Sequence, residues 1–104
     1  MEELDGMMLM ETSSLEDVRN RIDNRIADRY PSPFEIDGQR CYLFGKDHYF
    51  MITPFHFEYD SIIVEHAHSL EEAKKNLFED GDRFYLDEMT DDEIYDAIIN
   101  EVEG

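Results

Sequence analysis

One cysteine, Cys41, stands in 104 residues, and that scarcity excludes an intramolecular disulfide and any thiol-rich metal site. Set in an apolar run, Cys41 reads as a small buried residue. Tryptophan is absent and proline occurs only at 31, 33 and 54, so turns must come mostly from Asp, Asn and Gly. No Gly-rich phosphate loop and no serine in a nucleophile-elbow context occur, which removes the usual sequence grounds for nucleotide binding or acyl transfer. The opening "MEELDGMMLMETSS" has acids where a secretory signal needs bases, and its apolar run Met7 to Met10 is too short for a signal core. A cytoplasmic protein with a flexible leader over 1–12 and one domain over 13–104 is the expectation.

Basic residues are the most telling shortage. Nine Lys and Arg face 27 Asp and Glu, a net charge of −18, well beyond the magnitude of about 2–8 that suffices for solubility in a small domain. Such an excess destabilises the compact state through self-repulsion. Hydrophobic residues nevertheless make up 41% of the chain and aromatics 12%, too many for a disordered acidic tail. A chain of this length can bury roughly 60–70% of its unfolded surface, enough for a core without staples.

Three helices announce themselves by their caps. Ser14 with Asp17 opens "LEDVRNRIDNRIADRY", where Leu15, Val18, Ile22 and Ile26 form one stripe. The flanking Arg19, Arg21, Arg25 and Arg29 read as local charge balance, with Asp17 and Arg21 spaced for an i,i+4 pair. Tyr30-Pro31-Ser32-Pro33 stops that helix. Ser69 with Glu72 opens a second, with Leu70, Ala73 and Leu77 as its apolar face and Gly81 as its terminator. Thr90 with Glu93 opens a third, with Ile94, Ala97, Ile98 and Val102 buried.

Between the first two helices, from Phe34 to Ala67, the period changes to two. Asp37-Gly38 suits a tight hairpin turn, "GKD" at 45–47 marks another, and Pro54 is expected to begin a longer connection, "PFHFEYD". "RFYL" at 83–86 fits either a short edge strand or a loop. The expected fold is α+β: an N-terminal helix, a three- to four-stranded antiparallel meander, and two C-terminal helices, with the helices on one sheet face.

The acids concentrate late. Residues 69–104 hold thirteen acids and three bases, more than half the excess. The stretch "EDGDRFYLDEMTDDE" at 79–93 fails as a calcium-binding EF-hand loop, because counting from Asp80 puts Phe84 at the fifth position and Tyr85 where glycine is needed. Asp91, Asp92 and Glu93 are favoured by the helix dipole, whereas Glu79, Asp82, Asp87 and Glu88 have no such local reason. Four helical residues rise about 6.0 Å and two steps of a DNA strand advance about 6.8 Å, so an array of carboxylates can approximate a phosphate track. The candidate partner surface is therefore Glu79, Asp80, Asp82, Tyr85, Asp87, Glu88, Asp91, Asp92, Glu93 and Asp96, with Phe84 and Tyr95 as further apolar anchors. His48, His56, His66 and His68 form a second constellation that zinc could use, although "HAH" alone is a weak signal.

The segment "EEAKKNLFEDGDRFYLDEMTDDEIYDAIINEVE" resembles the C-terminal part of small acidic proteins carried by phages and mobile elements of Gram-positive bacteria. In size, charge and lack of a catalytic pattern the whole chain is similar to anti-CRISPR proteins and to immunity proteins that block nuclease toxins. This likeness implies a non-catalytic inhibitor without cofactor or metal. Its partner would be a basic nucleic-acid-binding protein, an RNA-guided nuclease in the sharpest version, engaged as DNA would engage it. An immunity protein or a His-based metal-binding protein are the alternatives.

Overall fold

A computed structural model describes residues 14–104; the expected leader lies outside the described residues. The first helix, α1, runs Leu15–Ala27, where the Ser14 hydroxyl accepts the Asp17 N–H, and its stripe of Val18, Ile22 and Ile26 is buried. Five strands follow: β1 Phe34–Ile36, β2 Gln39–Phe44, β3 His48–Phe57, β4 Tyr59–Ala67 and, after the short helix α2 at Leu70–Lys74, β5 Glu79–Tyr85. The last helix, α3, runs Asp91–Glu103 behind a complete Thr90–Glu93 capping box. The fold is α+β, with five strands rather than three or four.

All neighbours pair antiparallel in the order β1-β2-β3-β4-β5. Asp37 and Gly38, at φ +51° and +80°, make the expected tight turn. The fifth strand is the stretch around "RFYL", which begins earlier than expected, at Glu79. Nor does β3 break at Pro54. It continues to Phe57, turns at Glu58 with φ +69°, and pairs from Phe57↔Tyr59 back to Tyr49↔Ala67. Proline is tolerated on a strand with a free flank, and β3 has one beyond Phe50, where its register with β2 stops.

Alternation sorts the sheet's side chains. Tyr42, Phe50, Ile52, Ile62, Val64 and Phe84 face α1 and α3 and meet Ile94, Ile98 and Val102 in the main core. Cys41, Tyr49 and Ala67, on the opposite face by alternation, pack with Ala73 of α2 in a second cluster, so the helices do not all cover one sheet face as expected. Cys41 is buried and its thiol is pushed up to about 11 by that burial. The second helix is also shorter than expected, because Asn76 turns left-handed at φ +59° and Gly81 belongs to β5. Leu70 and Leu77, expected on a buried face, are 44% and 58% exposed.

Burial dictates where truncation hurts. Ile98→Ala, at a fully buried site, should cost about 2–5 kcal/mol in urea unfolding, whereas Leu77→Ala should stay within about 0.5 kcal/mol.

Candidate functional site

The nine candidate carboxylates fall into two groups. Asp91 accepts from Arg21 Nε at 2.7 Å and Asp92 from Arg25 Nη1 at 2.6 Å, while Glu93 closes the capping box by accepting the Thr90 N–H at 2.8 Å. The arginines of α1 thus bridge to α3. Arg21 does not make the expected Asp17 pair, because the facing helix offers it a carboxylate already placed in the dipole's positive end. Only Arg19 stays on its own helix, with Glu16 at 2.8 Å and Asp23 at 3.9 Å.

Glu79, Asp80, Asp82, Asp87, Glu88 and Asp96 are all exposed, and none forms an ion pair among the described residues. They run along β5, through the β5–α3 loop, and onto α3. Asp80 lies opposite Glu65 across β4–β5. Burial pushes the Glu65 carboxyl up, the Thr53 hydroxyl bond at 2.5 Å opposes that rise, and the Asp80 carboxylate adds to it.

Of the candidate anchors, Phe84 is buried in the core and Tyr95 lies half-buried under the Arg25 guanidinium, 4.0 Å above its ring. Tyr85 remains at the surface, half-buried on the sheet face turned away from α1 and α3. The residues missed from sequence are its neighbours. Phe55, Phe57 and Tyr59 are 38%, 64% and 58% exposed, and the register Phe55↔Ser61↔Tyr85 and Phe57↔Tyr59 sets all four aromatics on one face. The Leu86 N–H donates to the Asp60 carbonyl at 3.1 Å, holding the end of β5 to the β3–β4 hairpin. Two clefts of about 400 and 340 Å³ open there, sharing Glu58, Tyr59 and Asp87. Strict alternation in "FHFEY" is the sequence signal for this face, and the Pro54 that precedes it masks the signal by its usual association with strand ends.

Three of the four histidines converge at the other end of the sheet. His66 Nε2 meets Glu101 Oε2 at 2.5 Å, His66 Nδ1 meets His48 Nε2 at 2.9 Å, and the His68 ring stacks on His48 with centroids 5.5 Å apart. An ionised carboxylate only accepts, so His66 presents an Nε2–H to Glu101, and a neutral His66 then receives the His48 Nε2–H on Nδ1. The Asp82 N–H also donates to Glu101, at 3.2 Å to Oε2. A Cβ on Gly81 would stand 2.1 Å from that Oε2 and 2.7 Å from His66 Nε2, so any larger residue there must push the Glu101 carboxylate and His66 out of this arrangement. His56 lies apart, bonded to Asp60 at the hairpin. His48 Nε2 and both His66 ring nitrogens are engaged by one another and by Glu101, and no group of three or more His, Cys, Asp or Glu among the described residues is placed to hold a metal ion. Neither cleft is lined by His48, His66 or Glu101. The arrangement is therefore a latch tying β3, β4 and β5 to the end of α3.

Burial holds His48 below the usual imidazole range, reinforced by His66 and His68 and opposed by Asp47. Below a pH of about 6.5 the unfolded chain binds this proton before the folded one does, so stability should fall as pH drops. Melting temperature measured from about pH 7.5 to 5.5 should decline less steeply for His48→Gln than for the parent; equal slopes would assign the acid sensitivity to other groups.

No helix among the described residues is long and apolar enough to cross a membrane. The chain matches no protein-family model, no curated protein and no solved structure.

Proposed function

We propose that this chain is a non-catalytic inhibitor that occupies the basic nucleic-acid-binding surface of another protein, an RNA-guided nuclease in the sharpest version. One observation carries the reading. Arg21 and Arg25 of α1 are spent on Asp91 and Asp92, and Arg29 just beyond it on Glu103, which leaves Glu79, Asp80, Asp82, Asp87, Glu88 and Asp96 exposed without a described cation partner. Glu79, Asp80 and Asp82 lie on a paired strand and Asp96 on a capped helix, with Asp87 and Glu88 in the short loop that joins the two, so most of this spacing is set before a partner arrives. A partner that holds nucleic acid through Lys and Arg draws much of its affinity from released counterions, and a rigid anionic surface competes for the same channel. The sequence's likeness in character to anti-CRISPR proteins supports that direction, and a toxin-directed immunity protein would use the same electrostatics.

The surface also narrows by geometry. Asp91, Asp92 and Glu93 hold α3 in place, so reversing them mixes unfolding with loss of contact. The clean variant replaces Asp82, Asp87, Glu88 and Asp96 with lysine. Affinity capture from the source organism's lysate with the parent chain should recover a basic nuclease, released by rising salt and competed by its nucleic acid. The fourfold lysine variant should lose that capture while keeping the parent circular dichroism spectrum; retained capture, or a partner indifferent to salt, would refute the reading. By contrast, Asp91→Lys with Asp92→Lys should lower the melting temperature as well.

A further inference from the structure

The aromatics at the β3–β4 hairpin are unusual for their place. Large apolar side chains scattered singly on a surface need no explanation, but here Phe57 and Tyr59 stand opposite each other at a hairpin end, the most exposed aromatics that the chain shows. Phe55 and Phe57 are neighbours at 6.4 Å, and Tyr59 meets Tyr85 edge-on at 6.5 Å. Carboxylates rim the group: Glu58 in the turn, Asp60 beside it, and Asp87 and Glu88 across the clefts. Among the described residues, Glu58, Asp87 and Glu88 have no ion-pair partner.

The chain itself shows what chemistry this face accepts. Arg83, on the same face, lays its guanidinium over Phe55 at 4.4 Å and near Tyr85 at 5.2 Å, with its Nε donating to the Ser61 hydroxyl at 2.9 Å. One step further out, the rings of Phe57 and Tyr59 carry no cation among the described residues. An aromatic face desolvates and attracts a guanidinium, and carboxylates at its edge can take the N–H donors bidentately. Lysine, a strongly hydrated point charge, gains less from the same surface.

We infer that the hairpin face formed by Phe55, Phe57, Tyr59 and Tyr85 is a docking surface for an arginine-bearing segment of a basic protein, with the guanidinium seated between Tyr59 and the Glu58, Asp87 and Glu88 carboxylates. The argument is charge complementarity on an aromatic platform, and it rests on the reading of the chain as a binder of basic proteins. It adds an anchor that a phosphate track alone would not supply, because nucleic-acid phosphates offer a partner's arginine no apolar face.

The test uses two probes, the peptides acetyl-GRGRG-amide and acetyl-GKGKG-amide, titrated into the ¹⁵N-labelled full chain. Amide shifts should concentrate at residues 55–60 and 85–88, and the arginine peptide should bind about two- to fivefold tighter than the lysine peptide, as one cation–π contact would give. Phe57→Ala with Tyr59→Ala, both at exposed sites, should equalise the two peptides without changing the urea midpoint, and Tyr59→Phe should keep the preference. Shifts spread equally over distant acids such as Glu71 and Glu72, or no arginine preference, would overturn the docking surface. So would a concentration-dependent dimer abolished by Phe57→Ala, which would make a second copy the occupant. The two proposals separate cleanly: if the peptides fail while the fourfold lysine variant still loses nuclease capture, the anchor is wrong and the inhibitor reading stands.

Discussion

The last helix carries carboxylates at both ends, and only one end wants them. At its N-terminus Asp91, Asp92 and Glu93 sit in the positive end of the helix dipole. Its last turn has no basic residue and instead holds Glu101 and Glu103, where the dipole's negative end repels them. The fold answers from outside the helix. Arg29 donates to Glu103 from Nε and Nη2 at 3.0 Å each, and the Tyr30 hydroxyl donates to the same carboxylate. Burial, then the Glu103 bond, pushes the Tyr30 phenol up to about 12, so it keeps its proton and remains a donor. Glu101 is answered by His66 and by the Asp82 N–H. Docking α3 therefore fixes the stagger of α1, the path of β5 past Gly81, and the tautomer of His66 together.

That commitment of cations shapes the surface. Each exposed pair between α1 and α3 is individually weak and screened by salt, but basic residues are so few that every pairing leaves carboxylates elsewhere unanswered. The residues left over are those of β5, its loop, and the outer side of α3. Arg83 is the one base in that stretch, and it is committed to the Phe55 ring and the Ser61 hydroxyl. Lys74 lies on α2 and Lys75 at its C-cap, where Lys75 pairs with Glu71 at 3.1 Å.

What was legible in the sequence was local. Capping at Ser14, Ser69 and Thr90 needs only a residue and its third neighbour, and each cap forms. The Asp37-Gly38 turn needs only positive φ at adjacent positions, and the apolar stripes of α1 and α3 need only a helical period. What depended on register was not legible. The His48–His66–Glu101 chain joins residues 18 and 35 apart, the arginine bridges span about seventy positions, and neither leaves a spacing signature. Leu77 misled because its spacing is helical although the chain has already left the helix at Asn76. Pro54 misled in the opposite sense, since a proline breaks a central strand but not one with a free flank, and which flank is free is a property of the sheet.

The acids of β5 admit a purely defensive role, and the aromatics tell against that role being the whole account. An edge strand invites pairing with other chains, and charge along it is a common deterrent. Glu79, Asp80 and Asp82 fit that purpose on β5, which pairs with β4 alone among the described residues. A deterrent, however, is undone by apolar surface beside it, and Phe57 and Tyr59 expose such surface a few residues from the end of the same strand. Phe57 and Tyr59 contribute nothing to either buried cluster. Charge that repels other copies of the chain and rings that attract a cation are both accounted for by the proposed positive partner. On that proposal the same carboxylates exclude the wrong contact and select the right one.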